Sequence, residues 1–224
     1  MQKSLSMTSA DLFSNPPAPP PAVQALGAQS LLLRGFALPW VDALWPALQD
    51  VIAQAPPRHL QTPGGQRISV ALTNCGALGW VSDRRGYRYQ PHDPDSGQPW
   101  PALPAPLLQL AREAAAAAGF DAFAPDACLV NRYQTGARMG LHQDRDERDL
   151  GQPIVSVSLG VPAVFLWGGL RRTDRAARVT LQHGDVVVWG GVDRLRFHGV
   201  APLRAAEHPL TGALRVNCTL RRAA

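Results

Sequence analysis

His142 and Asp144, within Gly140-Leu141-His142-Gln143-Asp144, put two metal-ligating side chains at positions i and i+2. On a strand that spacing sends both to one face, where an imidazole and a carboxylate can grip one ion. His-x-Asp alone is a weak signal, so a third ligand is needed. His183 lies in Gln182-His183-Gly184-Asp185, which reads as a hairpin turn, and His208 precedes Pro209 in a loop; both are expected at the surface. His198 is the better choice, because Leu195-Arg196-Phe197-His198-Gly199-Val200 runs into a strand and Gly199 lets backbone approach a crowded centre. Two imidazoles and a carboxylate form a facial set with three positions open, as in non-haem Fe(II) oxygenases. Zinc favours a tetrahedral site with one open position, and ligand types alone leave a zinc-dependent hydrolase in contention.

A second polar constellation lies in Leu214-Arg215-Val216-Asn217-Cys218-Thr219-Leu220-Arg221. Arg215, Asn217, Thr219 and Arg221 share one strand face, and Val216, Cys218 and Leu220 share the other. If the polar face is interior, two buried guanidiniums need an anion, and a dicarboxylate cosubstrate would satisfy them. On an outer face they would simply be solvated. Asn131 and Tyr133 form another i, i+2 pair able to donate to the same acid or to bond within the core.

The elements that must position these groups are mostly strands. Short apolar or alternating runs bounded by turn residues occur at 31–36, 68–73, 87–90, 128–133, 154–159, 163–167, 179–182, 185–189, 198–202 and 214–221. Two helices are expected. Over 42–55, Leu44, Leu48, Val51, Ile52 and Ala55 share a face, and Pro46 fits only in the first turn. The alanine-rich run 104–118 is stopped by Gly119. Many short strands with two helices imply a mainly β sandwich or barrel, with the helices packed on one outer face and the mouth left open for a ligand.

Composition bounds the rest. At 224 residues and 46% hydrophobic the chain suits one domain with a real core, and no apolar run is long enough to cross a membrane. Gly 20 and Pro 21 mark a turn-rich globular chain rather than a low-complexity one. Residues 1–28, with Asn15-Pro16-Pro17-Ala18-Pro19-Pro20-Pro21, are expected to form a flexible leader before a domain over 29–224. The net charge is +5 and Lys3 is the only lysine, so arginines would carry any polyanion binding. Cys75, Cys128 and Cys218 are scattered, against a disulfide scaffold or zinc ribbon. The N-terminus lacks an apolar signal segment, and a cytoplasmic location is expected.

Taken together, several segments resemble the AlkB family of Fe(II)/2-oxoglutarate-dependent nucleic-acid dealkylating dioxygenases. They are Asn131-Arg132-Tyr133, the run from Leu141 through His142-Gln143-Asp144 to Asp149, Ile154-Val155-Ser156-Val157-Ser158-Leu159-Gly160, Gly184-Asp185-Val186-Val187-Val188-Trp189-Gly190-Gly191, and 215–221. Each is weak alone, but their order along about 31–222 is specific. Val216, Cys218 and Leu220 stand where bulkier residues would be expected beside the arginines.

The resemblance implies a double-stranded β-helix, a cupin-like jelly roll, with a nucleotide-recognition lid at about 60–92. It implies His142, Asp144 and His198 as iron ligands and catalytic centre, and Arg215 and Arg221 on the carboxylates of 2-oxoglutarate, assisted by Asn131, Tyr133 and Asn217. Thr73-Asn74-Cys75-Gly76-Ala77-Leu78-Gly79-Trp80 and Arg84-Arg85-Gly86-Tyr87-Arg88-Tyr89 resemble the family lid. Asp146, two residues past Asp144, would by strand parity point toward the same cavity. By that resemblance it accepts from an exocyclic amine, Trp80 stacks a flipped base against His142, Tyr87 contacts the nucleic-acid backbone, and Arg172 adds a substrate contact. The implied activity is Fe(II)-, 2-oxoglutarate- and O2-dependent demethylation of bases such as 1-methyladenine and 3-methylcytosine in single-stranded DNA or RNA. Formaldehyde, succinate and CO2 would be released by a monomer with no membrane association. The alternatives are the same chemistry on tRNA, protein or lipid, the metal-dependent hydrolase, and a non-enzymatic cupin-like binding module.

Overall fold

Alternation of side chains across short strands builds the framework, and the computed structural model describes it for residues 22–224. The strands are β1 (Val23–Gly27), β2 (Ser30–Leu33), β3 (Ala71–Gly76), β4 (Gly79–Asp83), β5 (Gly86–Gln90), β6 (Ala127–Tyr133), β7 (Met139–His142), β8 (Ile154–Gly160), β9 (Ala163–Trp167), β10 (Ala177–Leu181), β11 (Val186–Trp189), β12 (His198–Val200) and β13 (Arg215–Arg221). The helices are α1 (Val41–Gln54) and α2 (Ala105–Ala117). A seven-stranded sheet in the order β1-β2-β11-β8-β13-β6-β3 faces a four-stranded sheet β10-β9-β12-β7, and β4-β5 form a separate hairpin. This is the sandwich that the strand pattern implied and the jelly roll that the family resemblance implied.

Each strand of the large sheet serves two layers. From β13, Val216, Cys218 and Leu220 turn outward and pack with Leu44, Leu48, Leu107 and Leu110 of the two helices. Leu32, Leu129, Ile154, Val187 and Trp189 turn inward against Phe165, Trp167 and Val200 of the small sheet. The helices therefore cover one outer face, as expected. Gly119, at φ 84°, ends α2: the Phe120 and Gly119 amides donate to the carbonyls of Ala115 and Ala116, the pattern in which a left-handed glycine satisfies the last turn.

Four expectations shift. The leader boundary at residue 28 is too late, because Val23–Gly27 pairs antiparallel with β2 as an edge strand. Its mostly exposed side chains leave no alternation to detect. Residues 1–21, with the proline run, lie outside the described residues. Pro46 is inside α1, beyond its first turn. The strand expected at 68–73 becomes β3 at Ala71–Gly76, since Ile68 bonds Leu60 and Gln61 bridges Arg67 before the main ladder begins. Finally, β7 stops at His142, so Asp144 stands in the following loop instead of on a strand.

Because α2 anchors the helix layer through fully buried Leu110, Leu110→Ala is expected to lower unfolding free energy by about 2–5 kcal/mol. Leu170→Ala, at a side chain 57% exposed, should cost under about 0.5 kcal/mol. Denaturant titration of both variants checks the contrast.

Candidate metal centre

Strand register makes the centre. In the β12–β7 pair His198 lies directly opposite His142, and the two rings stand 4.5 Å apart between centroids. A Cβ at Gly199 would come within 2.7 Å of the Met139 carbonyl oxygen, so the close strand approach inferred from sequence does depend on that glycine. Each Nδ1 faces the carbonyl oxygen two residues earlier, His142 toward Gly140 at 2.9 Å and His198 toward Arg196 at 3.0 Å. Donation by Nδ1–H to those oxygens leaves both Nε2 lone pairs for an ion. Asp144 completes the group, with Oδ1 3.5 Å from His142 Nε2 and Oδ2 3.7 Å from His198 Nε2. All three ligand atoms fall within 4.8 Å of one another, the one such cluster among the described residues.

The surroundings keep the ligands in binding form. Burial pushes the His198 imidazole down to about 4, with His142 adding to the effect, so the ring is neutral. Burial would raise the Asp144 carboxyl, but Arg221, then His198 and His142, outweigh it and hold the group well below the usual carboxylate range. Nε and Nη2 of Arg221 both donate to Asp144 Oδ2, at 2.9 and 2.6 Å, which leaves Oδ1 free of Arg221.

Beside this cluster the polar faces of β6 and β13 line a pocket that includes Asn131, Tyr133, Arg215, Asn217 and Arg221. The interior alternative for β13 is thus the correct one, but the two arginines differ. Arg221 is already neutralised by Asp144 and Glu147. Arg215 is 2% exposed, and its Nε and Nη1 have no partner. Its Nη2 donates to Ser158 Oγ at 3.1 Å, its guanidinium lies over the Tyr133 ring, and burial depresses its pKa. A buried cation with two idle donors fits an incoming carboxylate. Asn131 Nδ2 donates to Asn217 Oδ1, while Asn217 Nδ2 donates to Ser156 Oγ and the Val157 carbonyl, which fixes both amides in the pocket wall.

The hairpin β4-β5 carries the expected lid residues. Trp80 stacks on Tyr87 at 5.5 Å and donates Nε1–H to Asp146 Oδ2 at 2.9 Å. Asn74 clamps the Trp80 main chain from both sides, accepting from its N–H and donating to its carbonyl, each at 3.0 Å. Asp146 is exposed rather than pointing into the pocket, because strand parity ended at His142. Arg172 is also exposed, over the Phe197 ring, and joins none of the other candidates. His183 and His208 stay out of the centre but are half-buried and paired, with ring centroids 4.3 Å apart, and His183 Nδ1 accepts the Gly160 amide. That differs from the solvent-facing turn expected.

Three residues were missed. Glu147, Tyr89 and Arg194 form a network around Arg221. Only the placement of Tyr89 two residues after Tyr87, on the same hairpin face, hinted at it.

A jelly roll holding two histidines and one carboxylate beside an orphaned arginine defines the class, a metal-dependent oxygenase that uses a keto acid. The 2OG-Fe(II) oxygenase superfamily pattern matches residues 33–221. The chain is 53% identical over 214 residues to the α-ketoglutarate-dependent dioxygenase AlkB of Salmonella typhimurium, covering 96% of this chain and 98% of that one. It is 52% identical over 213 residues to the Escherichia coli protein of the same name, covering 95% and 97%. The solved structure titled "The structure of OsALKBH1" superimposes with a TM-score of 0.76 at 31% identity, over 90% of this chain and all of that one. The chain therefore belongs to the AlkB family of α-ketoglutarate-dependent dioxygenases within that superfamily. Membership brings Fe(II), 2-oxoglutarate and O2, and the His-Asp-His cluster fits the iron.

Arg215 generates a prediction with two arms. Arg215→Met should leave the ligand-free protein as stable as wild type or more stable, because it replaces a poorly paired buried charge with a hydrophobe. The same variant should lose the rise in melting temperature that 2-oxoglutarate gives wild type. Thermal melts with and without the keto acid read both.

Proposed function

We propose that the protein demethylates N-alkylated bases such as 1-methyladenine and 3-methylcytosine in single-stranded DNA, with RNA as a second substrate, acting as a cytoplasmic monomer whose dioxygenase domain holds the lid at β4-β5. The observation that carries this reading is the His142, Asp144 and His198 cluster beside an orphaned Arg215, next to a hairpin bearing Trp80. The names of the relatives support the keto-acid chemistry, and "nucleic acid dioxygenase ALKBH1" of Homo sapiens, 35% identical over 124 residues, supports the substrate class. Among the described residues no helix is long and apolar enough to cross a membrane.

In this reading His142 Nε2, His198 Nε2 and an Asp144 oxygen hold Fe(II), and Arg215 takes a carboxylate of 2-oxoglutarate. Bound there, Fe(II) with 2-oxoglutarate and O2 supplies oxidation of the N-methyl carbon, which leaves as formaldehyde while the keto acid leaves as succinate and CO2. The protein's own groups select the base. Trp80 offers a stacking face, Tyr87 beside it meets the backbone, and Arg172 adds a further substrate contact. Asp146 Oδ2 accepts Trp80 Nε1–H, and the carboxylate has acceptor capacity left for an exocyclic amine. A lesion that blocks pairing costs less to unstack, which biases the pocket toward damaged bases.

Mass spectrometry of a single-stranded oligonucleotide carrying one 3-methylcytosine, incubated with the protein, Fe(II), 2-oxoglutarate and air, should show a mass loss of about 14 Da with equimolar formaldehyde. No loss on any N-methylated base would transfer the reading to another substrate class. Loss under nitrogen without the keto acid would replace it with hydrolysis.

A further inference from the structure

One buried carboxylate stands outside the metal cluster and outside the lining of the pocket beside it. Glu147, three residues past Asp144, is 2% exposed at its side chain, yet it accepts two hydrogen bonds and pairs with a further guanidinium. The Tyr89 hydroxyl donates to Oε1 at 2.7 Å, Arg194 Nη2 donates to Oε2 at 3.0 Å, and Arg221 Nε lies 3.3 Å from Oε1. Both arginines then reach Asp144 by different routes. Arg221 grips its side chain through Oδ2. Arg194, itself 2% exposed, donates Nη1 to the Asp144 main-chain carbonyl at 2.6 Å and Nε to the Gln152 carbonyl at 2.9 Å. Asp144 is a loop residue without ladder hydrogen bonds, so these two guanidiniums are its brace, and Glu147 holds both of them.

Charge gives the same answer. Two carboxylates, Asp144 and Glu147, face two guanidiniums, Arg194 and Arg221, in a desolvated cluster with no net charge. Without Glu147 a surplus positive charge would sit beside the place where a divalent cation must bind, and Arg221 would have Asp144 as its sole anion. The Tyr89 hydroxyl ties the cluster to the lid: Tyr89 is on β5, and its cross-strand partner on β4 is Trp80.

We infer that Glu147 is a positioning residue that orients Asp144 for metal through Arg221 and Arg194, and that the Tyr89 hydroxyl links this brace to the lid strand. The inference rests on the reading of His142, Asp144 and His198 as the metal site. Outer groups that orient a ligand commonly contribute 10- to 100-fold to metal affinity.

Mn2+ titration followed by loss of the free-ion magnetic resonance signal, done well below the unfolding temperature, tests it without turnover. Glu147→Gln keeps the shape and removes the charge, and should weaken Mn2+ binding by about 10- to 100-fold. Tyr89→Phe should weaken it several-fold, and Tyr89→Phe combined with Glu147→Gln should be no weaker than Glu147→Gln alone, since both act through one path. In turnover assays Tyr89→Phe should raise the Fe(II) requirement while kcat at saturating iron is largely kept. Unchanged Mn2+ affinity in Tyr89→Phe, or full additivity in the double variant, overturns the link, and Tyr89→Phe decides alone if Glu147→Gln does not fold. Wild type that fails to bind Mn2+, or His198→Ala that binds like wild type, would instead remove the metal-site reading and this inference with it.

Discussion

An ion needs its ligands within a few ångströms of one point, and here that requirement falls on a short antiparallel contact. His198 and His142 face each other because β12 and β7 pair in one register, and a slip of one residue would turn one imidazole to the opposite face of the small sheet. Gly199 makes the contact possible by keeping a Cβ away from the Met139 and Gly140 carbonyls. Carbonyl acceptors on each Nδ1 then leave the Nε2 atoms available. The rest of the molecule serves to keep this small sheet opposite the large one, with a polar pocket between them.

That pocket is costly for a β-sandwich. β13 places Arg215, Asn217, Thr219 and Arg221 inside, where aliphatic residues would pack better. The outward face compensates, since Val216, Cys218 and Leu220 are sealed under α1 and α2 and supply apolar burial to the same strand. The cost inside is reduced by hydrogen bonding: Asn217 has four partners in Ser156, Val157, Asn131 and Thr219, and Arg221 is paired with acids. Arg215 is the charged exception, and a buried guanidinium with no acid beside it and two nitrogens unbonded is understandable as a group that takes a carboxylate.

Much of this was legible in the chain and some was not, for reasons that differ by residue. Strand parity sorted β13 correctly because alternation is intrinsic to extended backbone, and Gly199 identified His198 because a close approach excludes a side chain. The helices were legible from periodicity, and α2 from its glycine stop. Parity misled where the strand ended: Asp144 and Asp146 were both projected inward, yet β7 stops at His142, and only Asp144 is buried. β1 was hidden by its exposed edge position, and β3 by an apolar run that begins before its ladder does. The pairing of Arg221 with Asp144 and Glu147 is a contact between distant parts of the chain, which local pattern cannot encode.

The loop placement of Asp144 explains the charge architecture around it. A carboxylate on a strand would be oriented by the ladder on either side, as the histidines are. Two residues beyond that ladder, its direction must come from partners, and at 8% side-chain exposure water cannot supply them. A guanidinium suits the task because its planar fork can fix one oxygen with two donors and leave the second oxygen unclaimed. A buried guanidinium brings its own demand for an anion, and a metal ligand cannot meet it alone without weakening its hold on the ion. Glu147 meets that demand from the same loop, three residues on, and the need for a second buried acid follows from taking the first one off the sheet.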